Sequence, residues 1–470
     1  MSDLVVTNWF GDLISRPKVI VEAHSVEDIV RVLTDPVRYP SPVRAVGSNH
    51  STARCGVADG GTLLKMAGMN RILDIGTDTV TAQAGALYID VAEELRKRNL
   101  QFHVCTEIGN LSIGSAACAG TKDGSMPGEY GQVGSYVTAV KMVLPNGRLL
   151  EASDETDPEL MQQIRASYGT FGVIYEATLK VRPLTAVQVY HRTFALQEFL
   201  EALPELRASG VSMMYYMFPF VDKITVEFRR YNPTATARHN QHAWTARNRG
   251  WAVIGPVVGR WAAALPGAVR HPVLNALTSI WRYNLVHRVK SDDSLPTEQT
   301  IRYPPVGGAC RYTFSLFAFR VEEFPKVVQE FYRFCKEYYQ RTGYRTNLSY
   351  VGYRISGDQR SLLSYSFDGE VMTLDPVSTN NPGWKEFLRE FNEFCSVRKG
   401  VPLFNQTFGV TREIARQAFG ERLDVISRTR QTYDPDGRLL NDYFRELLAP
   451  AGVHQAASLE KSGIAARSQP

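Results

Sequence analysis

No run of 18 uninterrupted apolar residues occurs among the 470, so the chain carries no obvious membrane-spanning helix. The nearest approach, 251–269, is broken by Pro256, Arg260 and Pro266. Six cysteines, Cys55, Cys105, Cys118, Cys310, Cys335 and Cys395, form no C-x-x-C pair and no metal-ligand spacing. They argue against a disulfide framework and against a metal site, and point to a reducing compartment. The first ten residues lack a basic region followed by an apolar core, so no secretory signal is expected. A formal net charge of +5 is too mild to indicate nucleic acid. There is no internal repeat, and no G-x-G-x-x-G opens a helix, which removes the dinucleotide fingerprint. What remains is a chain with 44% hydrophobic residues, enough for a large core in two or three domains. The plain expectation is a soluble, cytoplasmic enzyme.

Small residues are concentrated in two places. Arg44, Ala45 and Val46 read as a strand running into Gly47-Ser48-Asn49-His50-Ser51, and about 60 residues later comes the segment Gly109 to Asp123, rich in Gly, Ser and Ala. Glycine and serine let main-chain N–H groups approach a ligand closely, and successive amides make an anion-binding nest. Two such cradles suit one extended, phosphate-bearing cofactor.

Periodicity places these segments in an α+β region. Residues 18–34 read as a strand, a turn and a helix with Ser25 as N-cap and Val26, Ile29, Val30, Val32 and Leu33 on its buried face. Strands are expected at Val43–Val46, at Thr79–Gly85 and at Val137–Leu144, the last running into a turn at Pro145-Asn146-Gly147. Helices are expected at Ile89–Lys97 and Glu159–Ala166, and a glycine turn at Gly172 feeds a long alternating strand to Pro183. Beyond it the composition changes. Residues 211–231 and 309–320 read as aromatic-rich strands, and amphipathic helices near 322–341 and 383–396 would cover such a sheet. A turn and short helix follow Asp434, and the tail after Pro450 is expected to fray.

In order, Asn8-Trp9, the 47–51 cradle, Met69 to Leu73, the 109–120 cradle, Tyr168 to Ile174, and Asp434-Pro435 with Gly437 to Asn441 resemble the motifs of vanillyl-alcohol-oxidase-like flavoproteins. The chain is most similar there to the aldonolactone and alditol oxidases. That resemblance implies a two-domain PCMH-type FAD-binding fold with an α+β substrate cap. It assigns 1–184 to the FAD domain, 185–425 to the cap with a helical insertion at about 232–300, and 426–470 to a segment returning to the FAD domain. It implies FAD contacts from Val46, Gly47, Ser48, Asn49, His50, Ser51, Gly109, Asn110, Ser112, Ile113, Gly114, Ala117, Gly120, Gly172, Val173, Ile174 and Asn441. His50 falls where many members bond the flavin 8α-methyl group through an imidazole nitrogen, against the plainer role of a non-covalent contact. Cys105, four residues before Gly109, resembles the second attachment point of a bicovalent, berberine-bridge-like subgroup, although a lone cysteine is more often a small buried hydrophobe.

The cap departs from the family pattern. Its Glu-x-Arg motif aligns with Gly352 and Arg354, and its His-Trp-Gly-Lys with Phe404-Asn405-Gln406-Thr407, so the glutamate and the lysine are absent. The Gly-Thr-His-Gly that usually closes the second cradle reads Gly120-Thr121-Lys122-Asp123. Lys122 either lies against anionic cofactor groups or is a solvated loop residue, the second reading being slightly preferred. Flavin oxidation needs a carbon held near N5, an acceptor for the hydroxyl proton and a cation facing the developing charge. Arg354 is the expected polarising group, Tyr353 or Tyr350 a proton relay, and Asn405 and Gln406 orienting groups. The plain alternatives are a paired arginine and loop-capping amides.

The resulting expectation is an FAD-dependent oxidase acting on CH–OH donors in a sugar-derived or polyhydroxylated small molecule, with dioxygen as acceptor and hydrogen peroxide as product. The lost Glu and Lys favour a rival, a specialised-metabolism oxidase for a less polar substrate. A further rival is a membrane-docked dehydrogenase feeding a quinone or protein acceptor. It would use the insertion, where arginines such as Arg247, Arg249 and Arg288 mix with Trp244, Trp251, Trp261 and Trp281. Its C-terminal neighbourhood resembles that of the decaprenylphosphoryl-ribose oxidases. A solvated helical excursion with buried tryptophans is the preferred reading of the insertion over a membrane face.

Overall fold

A computed structural model describes residues 4–239, 241–304 and 310–449; the tail after Pro450, expected to fray, lies outside them. Near the N-terminus, Val19–Glu22 and Val43–Val46 flank Thr62–Lys65 in a parallel three-stranded sheet. The crossover between the first two is the helix Val26–Thr34, because parallel strands of one sheet need such a connection. Ser25 accepts from Asp28 N, and the Asp28 carboxylate accepts from Ser25 N, a reciprocal cap worth about 1 kcal/mol. Ile29, Val32 and Leu33 form its buried face; Val26 and Val30 sit at its margin.

A second, antiparallel sheet runs in the order Leu149–Ser153, Val137–Val143, Val173–Pro183, Thr79–Gln83, Ile72–Ile75, with Leu100–Phe102 paired to the far end of the long strand. The C-terminal helix Asp442–Leu447 returns to this region: Leu439, Phe444 and Leu447 share one core with Val43, Ile113, Val140 and Ile174.

The third sheet is antiparallel, in the order Ser291–Ser294, Val187–Ala195, Lys223–Tyr231, Ser212–Phe218, Tyr350–Ile355, Val371–Leu374, Phe317–Arg320, Val401–Pro402. Every residue of Ser212–Phe218 is buried, as a strand covered on both faces must be. Met213, Tyr215 and Met217 point to the helices Leu196–Ala208, Phe324–Thr342 and Trp384–Ser396. Met214, Tyr216 and Phe218 point the other way, into a cluster with Trp9, Phe10 and Tyr312.

Two expectations change. The aromatic stretch 211–231 is two strands, reversed at Pro219–Val221 with Asp222 at φ 50°. Residues 309–320 break into Thr313–Phe314, paired with Val377–Ser378, and Phe317–Arg320. The second cradle contains a short helix, Ile113–Cys118, capped by Ser112. The insertion is helical over Gln241–Arg249, Gly255–Ala263 and Gly267–Arg288 and then adds Ser291–Ser294 to the sheet edge.

Candidate cofactor and active site

After Val46 the chain leaves the parallel sheet through Gly47, Ser48 and Asn49, and Asn49 takes φ 55°, a left-handed conformation that asparagine tolerates. The turn is pinned from outside: the Asn49 side chain donates to Thr7 O at 3.1 Å, and Asn49 O accepts from Trp9 N at 2.8 Å. The Trp9 ring then stacks on His50 with centroids 5.1 Å apart, and Phe10 meets the same imidazole edge-on at 6.0 Å. His50 Nδ1 is buried with no hydrogen-bond partner. Burial pulls the His50 pKa down to about 4, so the ring is neutral at pH 7.

Arg44 holds this loop to the rest of the wall. Buried, its guanidinium donates to the carbonyls of Cys55 at 2.8 Å, Tyr168 at 2.6 Å and Leu439 at 2.7 Å. Tyr168 is itself left-handed at φ 51°, followed by Gly169 at φ 69°; such a pair, held by a buried arginine, is backbone strain gathered at one place. The second small-residue segment closes the other side. A Cβ on Gly47 would lie 1.9 Å from Ser112 Oγ, and one on Gly114 would lie 2.7 Å from Ala84 Cβ. Glycine is required at both positions.

Between them lies a cleft of about 1060 Å³. Val46, Gly47, Ser48, Asn49, His50, Ser51, Ser112, Gly114, Gly172, Val173, Ile174, Asn405 and Gln406, all foreseen, line it. Asn405 Nδ2 donates to Gly120 O at 2.8 Å, but Asn405 Oδ1 and Gln406 Oε1 are buried without partners. With His50 Nδ1 they make three unsatisfied polar atoms on one cleft, where buried polar groups are normally paired. Close backbone approach, a left-handed turn and orphaned polar atoms fit an extended, polar cofactor such as FAD.

Other expected contacts are elsewhere. Gly109 N donates to Ile301 O, and Asn110 brackets Tyr303, with Nδ2 donating to its O at 3.2 Å and Oδ1 accepting from its N at 2.6 Å. These two residues hold the end of the insertion, not the cleft. Ile113 and Ala117 are in the core behind the short helix, and Gly120 is pressed against Leu403. Asn441 caps the last helix and donates to Arg54 O and Val57 O. Cys105 lines a different, small cavity with Asp123 and Arg229, and burial pushes its thiol up to about 12. Its place outside the cleft lining favours the plainer reading of a small buried hydrophobe.

Arg354 is corrected as well. Its guanidinium is paired in a fork to Glu370, at 2.9 and 3.1 Å, and is not among the cleft residues. Strand alternation explains why: Gly352 and Arg354 share the face toward the covering helices, and a Cβ on Gly352 would lie 2.1 Å from the Tyr215 ring. Tyr353 faces the opposite way, but its ring lies against Lys122, with Nζ 4.0 Å from the centroid, and it too is off the cleft. Lys122 is not a solvated loop residue: Nζ pairs with Asp375 at 2.8 Å, both side chains almost fully buried. Sequence reasoning passed over Arg44, Ser115, Thr121 and Tyr168, all in the cleft wall. A lone arginine in an otherwise apolar strand, and Ser115 and Thr121 within the second small-residue segment, were the available signals.

Known proteins agree with this geometry. A family model described as an FAD binding domain matches residues 17–153, and one described as D-arabinono-1,4-lactone oxidase matches 177–447. The L-gulono-1,4-lactone dehydrogenase of Mycobacterium tuberculosis is 22% identical over 452 residues, covering 94% of this chain and 99% of that one. The L-gulonolactone oxidase of Bos taurus is 26% identical over 224 residues, 47% of this chain and 50% of that one. The crystal structure of cholesterol oxidase from B. sterolicum superimposes with a TM-score of 0.75 at 17% identity, over 95% of this chain and 97% of that one, a likeness of fold alone. With more than half its length matched by the lactone-oxidase model behind an FAD binding domain, the chain belongs to the D-arabinono-1,4-lactone oxidase family of PCMH-type FAD oxidoreductases.

Proposed function

We propose that the protein oxidises a CH–OH group of a sugar-derived, polyhydroxylated molecule, with aldonolactones the substrate class its relatives' names bring forward. The observation that carries this reading is the convergence of His50 Nδ1, Asn405 Oδ1 and Gln406 Oε1, all without partners, on one glycine-lined cleft. FAD bound there would supply the hydride acceptor and, in the oxidase reading, the route for electrons to dioxygen, with hydrogen peroxide as product. The 47–51 and 112–115 segments would hold its phosphates through main-chain N–H groups. His50, neutral and stacked on Trp9, would be the point of a tether to the flavin. Asn405 Oδ1 and Gln406 Oε1 accept hydrogen bonds from substrate hydroxyls and so fix which carbon is presented. In this reading 1–184 form the cofactor-binding unit, 185–425 the substrate cap and 426–470 the returning segment. Among the described residues no helix is long and apolar enough to cross a membrane, and six free cysteines favour a reducing, cytoplasmic setting.

The full-length relative named as a dehydrogenase favours a second reading, in which electrons leave to another acceptor. Purified, FAD-loaded protein would be given L-gulono-1,4-lactone and D-arabinono-1,4-lactone in an oxygen electrode and, separately, with dichlorophenolindophenol. Oxygen uptake matched by peroxide supports the oxidase; dye reduction without oxygen uptake supports the dehydrogenase. Failure to bind FAD at all would sink both. After acid precipitation, flavin remaining with the wild-type pellet and lost from His50→Ala would support the tether.

A further inference from the structure

The helical insertion encloses a second, larger space. About 1420 Å³ lies between its helices and the segment Asn347–Ser349, with Trp251, Ile254, Val258, Leu277, Ile280 and Trp281 on its walls. Nothing in the FAD chemistry uses it. Its inner wall is Tyr312, which packs on Phe10 at 5.9 Å and on Phe314 at 6.4 Å; Phe314 belongs to the cofactor cleft. One layer of rings therefore separates the two spaces. The chamber also reaches the surface through side chains that a solvated excursion would not present: Ile254 and Ile280, both on its wall, expose 57% and 58% of their area. Contiguous apolar exposure of this kind marks a binding surface.

Charge narrows the occupant. Between residues 241 and 290 there is no Asp or Glu, against six arginines and one lysine. Arg247 turns inward to Glu107 and Glu227, but Arg249 and Arg288 are exposed and stand on the chamber wall itself. An apolar interior with an acid-free cationic rim is complementary to an amphiphile, the chain inside and an anionic head at the rim.

We propose that the helices of residues 241–288 form a binding site for an amphiphile with a long apolar chain and an anionic head, the chain filling the chamber and the head meeting Arg249 and Arg288. This goes beyond the lactone chemistry and does not depend on it. The ligand chemistry is shared by a free long-chain carboxylate and by an anionic phospholipid in a bilayer, and the test separates the two.

Holoprotein is titrated with N-phenyl-1-naphthylamine, whose fluorescence rises in apolar sites, and the probe is then displaced by oleate or by dodecanol. Flotation with phosphatidylglycerol or phosphatidylcholine vesicles is run in parallel. Wild type is expected to bind the probe and to release it to oleate at lower concentration than to dodecanol. Leu277→Trp, which pushes an indole into the chamber, is expected to weaken probe binding about tenfold or more, on the order of 1.4 kcal/mol. The surface pair Arg249→Glu/Arg288→Glu is expected to keep probe binding and lose the preference for oleate. Flotation with phosphatidylglycerol alone identifies the bilayer as source; oleate displacement without flotation identifies the free carboxylate. The proposal is overturned if wild type gives no probe signal, or if Leu277→Trp melts normally and binds as well. It is equally overturned if the double variant still prefers oleate.

Discussion

Two buried polar regions lie on either side of the ring layer formed by Trp9, Tyr303 and Tyr312, and they are built on opposite rules. On the cleft side, His50, Asn405 and Gln406 each carry a buried atom with no partner. On the sheet side, the fully buried Glu227 accepts from Arg229 Nε at 2.6 Å and from Arg247 Nε at 3.3 Å, and sits 2.9 Å from His191 Nε2. Arg229 continues to Asp123 at 2.7 Å and Arg247 to Glu107 at 2.8 Å. Burial alone would raise the Glu227 pKa, but Arg229 and Arg247 hold it well below the usual carboxylate range. A buried network that satisfies its own charges needs nothing from outside; a set of neutral atoms left unsatisfied waits for a ligand. The charged cluster is the more conspicuous of the two, yet it is architecture, joining strand Lys223–Tyr231, the insertion and the loops at Glu107 and Asp123.

The largest test of that contrast is Glu227→Gln. Two guanidinium groups would be left facing each other without their shared carboxylate, and breaking a buried pair in this way costs about 3–5 kcal/mol. Urea unfolding of the flavin-free variant should show a loss of that size. A loss below about 1 kcal/mol would mean that the network is not structural, and would reopen it as a substrate site. Gly47→Ala comes next. The added methyl meets Ser112 Oγ, and such overpacking costs about 1–3 kcal/mol. Its larger signature is lost flavin binding, read by fluorescence titration; normal flavin affinity would place the cofactor elsewhere.

What the sequence made legible follows the same line. The 47–51 cradle was readable because a strand running into Gly, Ser and Asn has few other uses, and the helix at Val26–Thr34 because Ser25 and Asp28 announce its start. The second cradle was half readable: Ser112 and Gly114 face the cleft, but Gly109 and Asn110 serve residues 301–303, a partnership about 190 positions away that no local pattern records. Lys122 is the same case, since Asp375 lies far along the chain. Arg354 failed for another reason. Strand Tyr350–Ile355 is buried on both faces apart from Arg354 itself, so the sequence offers no polar alternation to say which side a residue takes, and Arg354 takes the side toward the covering helices, away from the cleft.

A pH series sharpens the cleft side. The folded His50 pKa of about 4 lies below the ordinary value of about 6.5, so the unfolded chain binds the proton first. Its contribution to stability is complete above pH 6.5 and is lost as the pH falls from there to about 4. Flavin-free wild type should therefore lose more melting temperature across that window than His50→Gln does. Parallel curves for the two would mean that the imidazole is solvated and not held dry beside Trp9.

The smallest expected effect belongs to Arg354, and it separates packing from chemistry most cleanly. Its side chain and that of Glu370 keep 19% and 24% exposure, and Arg207 also reaches Glu370 at 3.1 Å. A partly solvated pair of this kind is worth about 0–1 kcal/mol, and Glu370 keeps one cation when the other is removed. Arg354→Gln should therefore melt within a few degrees of wild type and turn over the aldonolactone proposed as substrate with unchanged kcat and KM. If kcat instead fell by a factor of about ten or more at constant KM, the loss would be in the transition state alone. Arg354 would then have to leave Glu370 and turn away from the helix-covered face of an interior strand to reach substrate, and the division between a self-satisfied sheet and a waiting cleft would no longer hold.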